Sequence, residues 1–175
     1  MTIPHFRVSL LITSFVALLL TGCSLREANI SRSFPRGDSA WPWVLRGDVW
    51  TGDMRGAESG LGGDAEKWAR MSPQRVWLGV YDHKTRAPER VVIRAFAYPT
   101  VEDAERAYRD NLPILPDRFD AGDQGTWTPD GVMFRWRRMV FEIFGVTTEG
   151  AAAQAAYVCG QLEERLTAEL VTNPR

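Results

Sequence analysis

Two hydrophobic periods alternate along the chain, and together they predict its elements. Val76, Leu78 and Val80 recur at every second position, the period of a strand. Asp82 to Glu89, with Pro88, reads as a turn, and Arg90 to Tyr98, rich in Val, Ile and Phe, as the returning strand. After Pro99 the period lengthens. Thr100 suits a helix N-cap, Glu102 and Asp103 meet the helix dipole, and Val101, Ala104, Ala107 and Tyr108 give a buried stripe as far as about Asp110. Leu112 to Asp123, with Pro113 and Pro116, is a loop.

A second block repeats this order. Thr128-Pro129-Asp130-Gly131 is placed as a type I turn requires, with Gly131 in the left-handed position, and joins strands over 124–128 and 132–137. Val132, Phe134 and Trp136 share one face of that strand, Met133, Arg135 and Arg137 the other. Met139 to Val146 is the next strand. A bend at Arg137-Arg138 sets Trp136 against Met139 and Phe134 against Phe141, but two arginines suit a two-residue turn poorly, so a longer one is expected. Thr147 or Thr148 caps a last helix over about 150–170, with Ala155, Val158 or Cys159, Leu162, Leu166 and Leu170 as its apolar stripe. Upstream, Trp41 to Trp50 begins the folded part as an edge strand. Gly52, Gly56, Gly60, Gly62 and Gly63 mark a loop, and Asp64 to Met71 is a short helix stopped by Ser72-Pro73. The order, ββα then βββα, predicts an α+β fold: an antiparallel sheet with helices packed on one face.

The first 22 residues follow a different logic. Arg7 and His5 stand without an acid in the first nine positions, and Leu10 to Leu20 are apolar except at Thr13 and Ser14. That run is shorter than the ~20 residues a membrane-spanning helix needs, and it has the layout of an export signal. Leu20-Thr21-Gly22-Cys23 resembles the lipobox of bacterial lipoproteins. The resemblance covers about the first 24 residues. It implies cleavage between Gly22 and Cys23, and a diacylglyceryl thioether plus an N-acyl group on Cys23. Ser24, where the enteric sorting rule reserves Asp for the inner membrane, implies the outer membrane, with the domain facing the periplasm. Residues 1–22 are then the signal peptide, 23–40 a polar tether with Arg26, Arg32, Pro35, Arg36 and Gly37, and 41–175 one domain.

Cleavage removes one arginine and leaves 153 residues with 20 basic and 22 acidic side chains, enough for a single core. Such a balance argues against a nucleic-acid partner. With Cys23 lipidated, Cys159 is the one remaining thiol, so no disulfide can form within the domain.

Candidate chemistry is sparse. Trp41, Trp43 and Trp50 could stack on sugar rings, or seal a disulfide-free core. Arg135, Arg137 and Arg138 could bind a carboxylate or phosphate, or form a solvated sheet face on which Arg135 pairs with Glu142. Asp117, Asp120 and Asp123 lack the ligand pattern of a calcium loop, and His83 alone cannot make a zinc site. Gly56-Ala57-Glu58-Ser59-Gly60 has its serine one place late for a nucleophile elbow, and Gly60-Leu61-Gly62-Gly63 lacks the Lys-Ser/Thr of a phosphate loop. Cys159 reads as a core residue on the last helix. The expectation is a non-enzymatic lipoprotein, without metal or cofactor, that is held to the membrane through Cys23 and binds an envelope protein. The alternative is a receptor for a small ligand or glycan.

Overall fold

The computed structural model describes residues 30–37, 41–145 and 148–172. The chain divides into a unit ending at Arg32 and a unit over Ser33–Arg175. The described part of the first is a single 3-10 turn, Ile30–Arg32.

Among its described residues the second unit is an eight-stranded antiparallel sheet with four α-helices: β1 (Trp43–Leu45), β2 (Trp50–Gly52), α1 (Met54–Leu61), α2 (Ala65–Arg70), β3 (Arg75–His83), β4 (Arg90–Ala97), α3 (Val101–Asp110), β5 (Asp117–Arg118), β6 (Gln124–Thr128), β7 (Gly131–Trp136), β8 (Met139–Gly145) and α4 (Thr148–Thr172), with a 3-10 turn, Gly62–Asp64, between α1 and α2. The strand order is β1-β3-β4-β8-β7-β6-β5, with β2 also paired to β3. The α+β class and the antiparallel sheet are those the hydrophobic pattern predicts.

Register sorts the side chains into two layers, since successive strand residues point to opposite faces. Val76 pairs with Phe96 and Phe96 with Val140, so these three share a face with Met133. There they form one core with Ala57 and Leu61 of α1, Trp68 of α2, and Ala104, Ala107 and Tyr108 of α3. Trp68 stacks on Phe96 at 4.0 Å. Trp77, Ala95, Ile93, Phe141, Ile143 and Phe134 point the other way and are equally buried. Their cover is α4, which crosses β8, β7 and β4 and buries Ala151, Ala155, Val158 and Leu162. Helices therefore cover both faces rather than one. The strands already indicated this: a sheet apolar at nearly every position of β4 and β8 has no wet face.

Four further expectations are corrected. The glycine-rich stretch after Gly52 contains a helix, α1, capped by Asp53, whose carboxylate accepts from Gly56 N at 2.9 Å. Its glycines serve packing, Gly56 lying against the Trp50 ring and Gly60 against Leu78. The folded unit begins before Trp41: Ser33, Phe34 and Pro35 are buried, and Phe34 packs beneath Gly79. Gly131 has no positive φ; a Cβ there would collide with the Ile143 carbonyl, so the residue permits close approach of β8. Arg137-Arg138 is a two-residue turn after all, since Trp136 pairs with Met139, and Arg137 adopts φ 53°.

The hairpin register, with Phe134 opposite Phe141, matches expectation. So does the α3 cap, where Thr100 Oγ1 accepts from Asp103 N at 3.0 Å. The Thr147 or Thr148 cap and the Leu166 and Leu170 side chains lie outside the described residues, as does the segment from Gly22 to Cys23.

Candidate functional site

At the β5 edge the chain builds a cleft of about 570 Å³ between the end of α3 and the β5–β6 pair. Its wall starts where α3 stops: Asn111 Nδ2 donates to the Ala107 carbonyl at 2.7 Å, closing the last turn. Pro113 then prevents continuation of the helix. Beyond Pro116, β5 pairs with Trp127 and Thr126 of β6, and Thr126 Oγ1 donates to the Asp117 carbonyl at 2.8 Å. Phe119 meets Trp127 edge-on at 4.8 Å. Gly122, at φ 59°, lets the chain reverse against the Arg135 carbonyl, where any side chain would collide.

Beside the cleft sits a charge-assisted clamp. Asp123 Oδ2 accepts from Arg135 Nη1 at 2.8 Å and from the Arg137 backbone N at 2.6 Å. Arg135 Nη1 also donates to the Arg137 carbonyl at 2.9 Å. One carboxylate thus holds the strained Arg137 turn and neutralises a buried guanidinium. This partner, rather than Glu142, is the one Arg135 takes.

Glu142 belongs to a second cluster, under α1 and α2. Arg94 Nη1 lies 2.7 Å from Asp64 Oδ2 and 3.0 Å from Glu142 Oε2, while its Nη2 donates to the Leu61 carbonyl at 3.2 Å. The guanidinium lies 4.3 Å from the centre of the Phe144 ring. Burial pushes the Glu142 carboxyl above its usual range, and the Arg94 charge pulls it partly back. The cluster ties the C-terminal end of α1 to the sheet.

The tryptophans are not brought together. Trp41 lies against Tyr157 at 5.3 Å, and Trp43, 2 % exposed, meets His83 edge-on at 4.9 Å. Trp43 pairs with His83 and Trp50 with Leu78, which places these two rings on opposite faces of the sheet. Trp50, 37 % exposed, covers Gly52 and Gly56. His83 serves a turn, its Nδ1 accepting from Arg86 N at 3.0 Å.

Nor do the arginines converge. Arg135 is buried, Arg137 is exposed with its guanidinium 5.3 Å from the Trp136 ring centre, and Arg138 is half-buried with its carbonyl accepting from Tyr98 N at 2.9 Å. Cys159 is half-buried, and burial pushes its thiol up to about 11.

The cleft walls carry Arg109 and Arg118 against Asp117, Asp120 and Asp123, with Leu112, Pro116 and Phe119 as the apolar part. Among the described residues, no group of three or more His, Cys, Asp or Glu is placed to hold a metal. In the sequence the aspartates of this loop offer only the spacing of a calcium loop that lacks its ligand pattern. The cleft itself had one legible signal, a proline-bracketed apolar segment between a helix end and a hairpin.

The fold and site thus define an α+β domain with both sheet faces covered and an open, charge-balanced cleft at one edge. Comparisons with protein-family models, curated proteins and solved structures find no match to this chain.

Proposed function

We propose that the chain is a bacterial envelope lipoprotein, anchored through Cys23, whose folded domain acts as a non-enzymatic interaction module with the β5–β6 cleft as its docking point for another envelope protein. The observation that carries this reading is the balance of the cleft. Its charges of opposite sign stand side by side, and Asp123 is committed to Arg135 and Arg137. Mixed charge around a small apolar patch is the composition of a protein-binding surface rim.

The test is in-cell photo-crosslinking of the full-length protein from position 118. The expected result is one predominant crosslinked envelope protein, lost when Cys23→Ser prevents anchoring. Recovery of the protein alone would contradict the proposal.

A second reading, binding of a small ligand such as a glycan, is favoured by the cleft's volume of about 570 Å³, within the range of small-molecule sites. Saturable quenching of tryptophan emission by muropeptides, with Trp127 beside Phe119 as reporter, would select it.

A further inference from the structure

Among the described residues, the loop that walls the cleft carries the most exposed large apolar side chains. Ile114 is 100 % exposed and Leu115 87 %, consecutive residues between Pro113 and Pro116. Side chains of this size and polarity are ordinarily taken out of water on folding, and the fold leaves both exposed. The prolines fix φ on either side and remove two backbone donors, holding the segment out as a short finger. Leu112, at its root, packs against the core and so provides a footing.

The geometry points to a lipid surface as the occupant of this finger: Ile114 and Leu115 insert into the interfacial layer of the membrane to which the chain is anchored. The inference rests on the lipoprotein reading of Cys23. Nine residues lie between Cys23 and Ser33, where the folded unit begins, and the ten steps from one to the other span at most ~35 Å whatever their conformation. The domain is thereby confined near the head groups, and a weak second contact becomes intramolecular. Two aliphatic side chains are too few to hold a free protein on a bilayer, but they suffice as the second of two attachments.

The surroundings set the kind of lipid contact. Arg109 and Arg118 are exposed near the finger, as are Asp110, Asp117 and Asp120, so the rim is close to neutral. Attachment therefore depends on apolar insertion and changes little with salt. Because Leu112 and Pro116 also line the cleft, insertion turns the cleft toward the membrane surface, where a membrane-bound partner would meet it.

The test uses the full-length chain purified from a bacterial host and reconstituted into phosphatidylethanolamine–phosphatidylglycerol vesicles with or without doxyl-labelled lipid. In a Cys159→Ser background, Ile114→Cys carries an environment-sensitive dye. Arg70→Cys, exposed on α2, carries it as control. Intact mass reports acylation, and flotation reports anchoring. The expected result is an acylated, floating protein whose dye at 114 loses about half or more of its emission to doxyl lipid, consistent with burial of 5–10 Å, while the dye at 70 does not. Adding Leu115→Asp should abolish the quenching. An acylated, floating protein with equal quenching at both positions overturns the inference and leaves the anchor standing. An unacylated protein that does not float overturns both, and the mass distinguishes the two failures.

Discussion

Arg137 shows how one side chain elsewhere can decide a local conformation. A non-glycine residue at φ 53° costs roughly 1–2 kcal/mol, and Asp123 offsets this by accepting from the Arg137 backbone N at 2.6 Å. Arg137→Gly should therefore stabilise the domain by up to about 1 kcal/mol in urea unfolding, since the clamp survives and the strain does not. Asp123→Ala should cost about 2 kcal/mol, a figure already reduced for the partial exposure of Asp123. An unchanged midpoint in both variants would contradict the clamp. The place of this turn was legible in the sequence, but its two-residue length was not, because its determinant lies fourteen positions upstream and turn rules are local.

Arg94 makes a related point with a pH signature. Its removal in Arg94→Met leaves Glu142 buried beside an apolar group, at a cost of about 3 kcal/mol near neutrality. Burial already raises the Glu142 carboxyl, and loss of Arg94 raises it further, so the folded variant binds a proton that the unfolded chain releases. Stability of the variant then increases as pH falls through that raised value. The deficit relative to the parent should be larger at about pH 8 than at about pH 5. A deficit that is constant or grows toward acid would contradict this assignment.

Among the elements, those with a long uniform period were legible: β3, β4, α3 and the β7–β8 hairpin, down to the pairing of Phe134 with Phe141. The helix α1 and the short strand β5 were not expected, and α4, expected as a helix, was not placed on the second face. Glycines inside α1 disfavour a helix locally, and packing against Trp50 and Leu78 outweighs that preference. The cover of the second face by α4 needed both faces of β4 and β8 to be read as apolar. Gly131 provides a test at this scale. If it serves close approach to β8 rather than a left-handed turn, Gly131→Asn should be as damaging as Gly131→Ala, each costing about 1–3 kcal/mol by thermal unfolding. Recovery by Asn, which tolerates positive φ, would show the turn geometry to be the reason instead.

At the scale of the whole molecule, the proposed address and the architecture rest on different kinds of signal. The proposed leader rests on order and composition over some two dozen residues, while the cleft arises from the meeting of a helix end, a loop and a hairpin that no contiguous motif records. Trp43 and Trp50 illustrate the difference: seven positions apart in sequence, they are dispersed because β1 and β2 pair with different parts of β3. Conversely, Tyr108 and Asp123, distant in sequence, line one cleft. These parts are joined by one proposed covalent feature, acylation of Cys23 a short way before the domain. Intact-mass measurement of the chain extracted from the membranes of a bacterial host tests that proposal most directly. The predicted result is a polypeptide beginning at Cys23, lacking residues 1–22 and carrying the added mass of a diacylglyceryl and an acyl group. A full 175-residue chain, or one cut elsewhere with Cys23 unmodified, would contradict it.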